Sequence, residues 1–179
     1  MSQGPRHAVL EGALTVLAAV ALAFLLRTFV VEPFVVNGPS MQNTFFTGDR
    51  VLVDRLGFHL AGLRYGEVIV FQPPLTGQGD YIKRVIATAG QTVMMRNGQV
   101  YVDGRRMPQP FLHDGRGSTE GAFTMPNPVT VPKGDVFVLG DHRNDSEDSR
   151  FFGPVKLSAV QGTAFWMIWP LDDFGPIRE

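Results

Sequence analysis

One stretch constrains this chain more than any other. Between Ala13 and Leu26 there is no charge, proline or glycine, and the apolar run reaches back to Ala8 if Glu11 is accepted. Nineteen helical residues span about 28 Å, close to the hydrocarbon thickness of a bilayer. A helix on a soluble core keeps a polar stripe, and none runs through Ala13–Leu26. A cleavable leader needs a small-residue site after its apolar core. Here that core ends in Leu25-Leu26-Arg27, and the pair Ala21 and Ala23 lies inside it. The segment therefore predicts one uncleaved transmembrane helix within residues 1–28, with a body over 29–179. Arg6 and His7 on one side and Arg27 on the other do not orient it.

The body reads as mainly β. Thr28–Val36 suggests an extended exit strand, and Asn37-Gly38-Pro39 a sharp turn. Short β-branched runs follow at Arg50–Asp54, Glu67–Phe71, Tyr81–Thr88, Thr92–Arg96, Gln99–Asp103, Val136–Leu139 and Gly162–Trp169. Asn97-Gly98 is a two-residue hairpin signal. The expected fold is an antiparallel sheet or partly closed barrel. Gly104–Lys133, rich in Gly, Pro and Ser, reads as a loop-rich insertion. Trp166–Trp169 is too short to span a membrane and reads as core strand.

Composition closes several routes. Without cysteine there is no disulfide, thiolate zinc site or cysteine nucleophile. Sixteen basic against seventeen acidic residues argue against a phosphate-dominated nucleic-acid binder. Of the basic residues only Lys83, Lys133 and Lys156 are lysines.

Lys83 stands in Tyr81-Ile82-Lys83-Arg84-Val85-Ile86, apolar on both strand faces. Adjacent strand residues point to opposite faces, so Lys83 turns inward if Arg84 turns to solvent. Desolvation lowers a lysine's pKa, and a neutral amine is a general base. A nucleophile for it is available at Ser40, on the turn after Pro39. On turn chemistry alone a structural serine is the commoner reading, and neither G-x-S-x-G nor S-x-x-K surrounds it. The run Gly140–Arg150 follows an apolar strand, a usual place for a functional loop. Its spacing fails for an EF-hand, and a triad on His142 lacks a serine elbow. By itself it reads as a solvated turn.

Taken in order, these pieces resemble the type I signal peptidase (leader peptidase) family of membrane-anchored serine proteases. The matching segments are the anchor, Phe34–Met41, Gly48–Val53, Tyr65–Phe71, Tyr81–Ile86 and Gly140–Arg150. The resemblance implies a Ser/Lys dyad, with Ser40 as nucleophile, Lys83 as general base and an acyl-enzyme between them. It implies that Ser146 hydrogen-bonds the lysine, that Asp148 pairs with Arg150, and that Asp141 pairs with Arg84. Met41, Phe45, Tyr81 and Ile82 match residues lining shallow pockets for the small side chains of an A-x-A cleavage site. The Ser40 N–H matches an oxyanion donor. Gly38 stands where some members place a serine that supplies the second. Asn43 replaces a proline, and Gln91 an aspartate. The implied partners are signal-peptide-bearing precursors and the lipid bilayer, with no nucleic acid, metal or cofactor. The implied place is the bacterial plasma (inner) membrane, single-pass, with the catalytic body on the extracytoplasmic side.

Two other readings are carried beside this one. A LexA-like Ser/Lys autoprotease would cut at Ala89-Gly90, but no helix-turn-helix pattern accompanies it. A non-enzymatic membrane-tethered β module that binds peptides needs no neutral lysine.

Overall fold

The computed structural model describes residues 5–42, 44–74, 79–112 and 125–178. Asn43 and much of the expected insertion, residues 113–124, lie outside these. Helix α1 (Pro5–Val30) comes first. Its side chains over residues 11–22 are exposed all round, and Val30 at its end is half-buried. Among the described residues no helix is long and apolar enough to cross a membrane. The helix runs to Val30, and strand β1 (Val31–Val35) begins there, three residues later than the exit strand expected from Thr28. β-Branched residues at 28, 30 and 31 made the boundary hard to place, and pairing with the next strand sets it at Val31.

The body is mainly β. In chain order come β2 (Arg50–Asp54), α2 (Gly57–Ala61), β3 (Val68–Phe71), β4 (Tyr81–Thr88), β5 (Thr92–Arg96), β6 (Gln99–Val102) and β7 (Arg105–Arg106). Then follow β8 (Met125–Thr130), β9 (Asp135–Leu139), α3 (Ser149–Phe152), β10 (Val155–Lys156), β11 (Val160–Trp169) and β12 (Gly175–Pro176). A curled, half-barrel antiparallel sheet runs β1-β2-β11-β3-β4-β9-β10, with β12 added to β11. A second sheet runs β7-β6-β5-β8.

Local chemistry explains most boundaries. Asn97 and Gly98 both adopt positive φ, +49° and +72°, and the hairpin closes between Arg96 and Gln99. Strand β2 alternates buried and more exposed residues, whereas β3 and the interior of β4 are buried on both faces. Apolar clusters on the two faces explain this. Val68, Val70 and Ile82 pack with Val36, Met41, Phe45 and Val51 on one face, and Ile69, Phe71 and Val85 with Val136 and Val138 on the other. β4 is therefore a central strand flanked by β3 and β9.

The expected insertion is not all loop. β7 and β8 fall within it and extend the second sheet at both edges. Pro126 and Pro128 hide β8 from sequence patterns, but an edge strand tolerates prolines whose missing N–H faces away from the ladder. The core of that sheet packs Val93, Met95, Val100 and Val102 against Ile86, Phe137 and Leu139.

Candidate active site

β4 brings Lys83 to the site, and the turn after β1 brings Ser40. Lys83 Nζ lies 2.7 Å from Ser40 Oγ and donates to the Ile82 carbonyl at 3.0 Å. Only 3% of Lys83 is exposed, and its nitrogen also sits 4.7 Å from the Tyr81 ring centre. Burial lowers its pKa from 10.5 to about 8, partly opposed by the charges of Asp148, Glu147 and Asp141. A neutral amine held this way donates to Ile82 and keeps its lone pair for the Ser40 proton.

The Gly140–Arg150 loop closes behind Ser40. The His142 N–H donates to the Ser40 carbonyl at 3.0 Å, and His142 Nδ1 lies 3.3 Å from the Pro39 carbonyl. A side chain at Gly140 would stand 2.4 Å from the Ser40 carbonyl oxygen and 2.1 Å from Ser146 Oγ, so this approach requires glycine. The Ser40 N–H makes no hydrogen bond among the described residues. Gly38 has φ +87°, a conformation glycine adopts readily.

Asp148 organises the loop. Its carboxylate accepts from the Gly140 N–H (2.9 Å), the Ser146 hydroxyl (2.7 Å) and, at both oxygens, from the Arg150 guanidinium (2.7 and 2.8 Å). It also caps α3 through the Arg150 N–H. Among the described residues no hydrogen bond joins Ser146 to Lys83 as expected: the Ser146 hydroxyl donates to the buried Asp148 carboxylate, and the Lys83 amine bonds to Ser40 and Ile82.

Arg84 corrects a second expectation. It turns to the opposite face of β4 from Lys83, yet that face is packed, and Arg84 is wholly buried. Its guanidinium meets Asp141 at 2.7 Å and donates to the Gly66 and Arg178 carbonyls. Asp141 also accepts from the Thr44 hydroxyl at 2.5 Å, a link sequence reasoning missed. It ties the segment after Ser40 to the loop.

The expected pocket residues divide. Met41, Phe45 and Ile82 are core residues at 0%, 1% and 3% exposure, and only Tyr81 of the four presents surface. The apolar cluster around Val36 and Val51 draws the first three inward. The Tyr81 hydroxyl donates to Glu147 at 2.7 Å, a rim contact with no sequence signal. Among the described residues no group of three or more His, Asp or Glu could hold a metal ion.

The family model "Signal peptidase, peptidase S26" matches residues 9–169. The chain belongs to this family. Among similar members, signal peptidase IB of Staphylococcus aureus (strain COL) is 33% identical over 93% of this chain and 92% of its own length. The probable signal peptidase I-1 of Synechocystis sp. is 36% identical over 97% of this chain and 89% of its own. The crystal structure of a signal peptidase I from Enterococcus faecalis V583 superimposes with a TM-score of 0.50 at 33% identity, over 56% of this chain and 95% of that one. The family match takes in the site from Ser40 to Arg150.

Proposed function

We propose that this chain is a membrane-anchored serine endopeptidase that removes N-terminal signal peptides from exported precursors, cutting after small residues in an A-x-A pattern. The observation that carries the reading is the 2.7 Å approach of Lys83 Nζ to Ser40 Oγ in a buried site.

The geometry supports the following steps. Neutral Lys83 takes the Ser40 proton, and Oγ attacks the scissile carbonyl carbon. The oxyanion that forms is met by the Ser40 N–H, which makes no hydrogen bond among the described residues. The Lys83 ammonium then gives its proton to the leaving amine, and an acyl-Ser40 ester remains. Water attacks that ester and gives a proton to Lys83, and as the C–Oγ bond breaks the Lys83 ammonium returns that proton to Ser40 Oγ, which leaves the amine neutral again. Asp141 with Arg84, and Asp148 with Arg150 and Ser146, act by holding the loop behind Ser40. Tyr81 fronts the substrate, while Met41, Phe45 and Ile82 support the wall from within and leave room only for small side chains.

The domain reading is an anchor over 1–28 and a catalytic body over 29–179, with 104–133 inserted between strands. Support for the anchor comes from the 26-residue helix α1, roughly 39 Å long, whose apolar side chains from Leu14 to Leu22 meet no partner surface. The Thr15 hydroxyl donates to the Glu11 carbonyl at 2.8 Å, so it would enter lipid already satisfied. On this reading the chain is single-pass in a bacterial plasma membrane with its body outside the cytoplasm, the side the family resemblance implies.

The test uses the full chain in detergent and a precursor peptide carrying A-x-A. Wild type is expected to cut it after the second alanine, and Ser40→Ala to lose cleavage while melting normally. Near-normal cleavage by Ser40→Ala would overturn the dyad.

A further inference from the structure

Three guanidinium groups and two carboxylates gather behind the Gly140–Arg150 loop. Arg84 is paired with Asp141, and Arg150 with Asp148, each at 2.7 Å with both side chains essentially buried. Arg143 is the one left over. It is 4% exposed, and its Nε donates to the Gly140 carbonyl at 2.9 Å. Its Nη1 and Nη2 are buried with no hydrogen-bond partner among the described residues. Burial lowers its pKa only to about 10, so it stays a cation at neutral pH. Among the described residues the three guanidinium groups thus outnumber the carboxylates paired with them by one.

The segment after β7 covers this cluster. The Tyr65 hydroxyl donates to the Pro108 carbonyl at 2.5 Å, and Tyr65 lies within electrostatic range of Arg143, Arg84 and Asp141. The Phe111 ring centre sits 4.0 Å from the Arg84 guanidinium carbon. Between these two fixed points stands Gln109, 5% exposed, with Nε2 and Oε1 both buried and without a hydrogen-bond partner among the described residues. Buried polar groups in native proteins are almost always satisfied, so orphaned donors on two neighbouring segments need a reason. A water molecule would satisfy hydrogen bonds but leave the charge.

We infer that Arg143 and Gln109 hold a small monovalent anion of about chloride's size, bound by Arg143 Nη1 and Nη2 and by Gln109 Nε2. The bound ion completes the charge balance of the cluster. Because Arg143 grips Gly140, which abuts Ser40, it also stiffens the loop behind the candidate nucleophile.

The experiment reads thermal unfolding of the full chain in detergent, so its outcome is independent of the peptidase reading. Sodium chloride is titrated against sodium gluconate at constant ionic strength, gluconate being too large for a buried site. In wild type, chloride is expected to raise the midpoint by about 3 °C and to saturate. Gln109→Glu places a carboxylate beside Arg143. That variant should melt higher than wild type in gluconate and should no longer respond to chloride. Arg143→Met, if it folds, should also lose the response. Equal wild-type midpoints in the two salts would mean water alone fills the position and would overturn the inference. So would a Gln109→Glu variant that responds to chloride as wild type does.

Discussion

Lys83 and Arg84 are neighbours on one strand, both buried, and their surroundings give them opposite characters. Arg84 meets a carboxylate at 2.7 Å and two backbone carbonyls, so its charge is fully accommodated. Lys83 meets a hydroxyl, one carbonyl and an aromatic ring, with no carboxylate within ion-pairing distance among the described residues. The first arrangement is what a permanent cation needs to survive burial. The second favours the neutral amine, which is the form that can accept a proton. Burial of a cation is thus structural or chemical according to whether its counter-charge is buried with it.

The contrast can be broken most severely at Lys83. Lys83→Met keeps the volume and removes the lone pair, so cleavage of an A-x-A precursor peptide should fall by about 10³-fold or more. Its urea midpoint should stay the same or rise, since a buried amine is replaced by an apolar chain. Arg84→Met should do the reverse in kind. It strands the Asp141 carboxylate, and urea unfolding should show a loss of about 3–5 kcal/mol. Adding Asp141→Asn should recover part of that loss.

Milder tests sharpen the same comparison. With the Lys83 pKa lowered to about 8, kcat/KM should fall about tenfold per pH unit below that value, as the amine gains a proton, and level off above it. A profile flat from pH 6 to 9 would contradict the neutral-lysine base. Smallest is Glu147→Gln. The Glu147 charge raises the Lys83 pKa, so removing it should move the acid limb to lower pH. The amide oxygen can still accept from the Tyr81 hydroxyl, which keeps the rim intact.

Legibility from sequence followed the range of the forces involved. β2, β4 and β5 match their expected bounds residue for residue, because β-branched runs and flanking turns are local signals. The Asn97-Gly98 hairpin is legible for the same reason. β8 was not, since its prolines are acceptable only at an edge, and an edge is a property of the assembled sheet. Alternation placed Lys83 and Arg84 on opposite faces, but it could not show that both faces of β4 are covered. Nor could any pattern show that Asp148 would take the Ser146 proton, or that Thr44 would meet Asp141 across 97 residues of chain.

By itself, then, the sequence determined the apolar N-terminal helix, the strand periodicity, the turns and the ordered motifs that mark the signal peptidase family. These depend on neighbours a few residues apart. Tertiary structure alone decided which cations are neutralised. It set Lys83 against Ser40, joined Arg84 to Asp141, and left Arg143 without a carboxylate partner among the described residues. Counter-charges come from distant segments, and the energy of a buried charge is set by what the fold brings within about 4 Å of it.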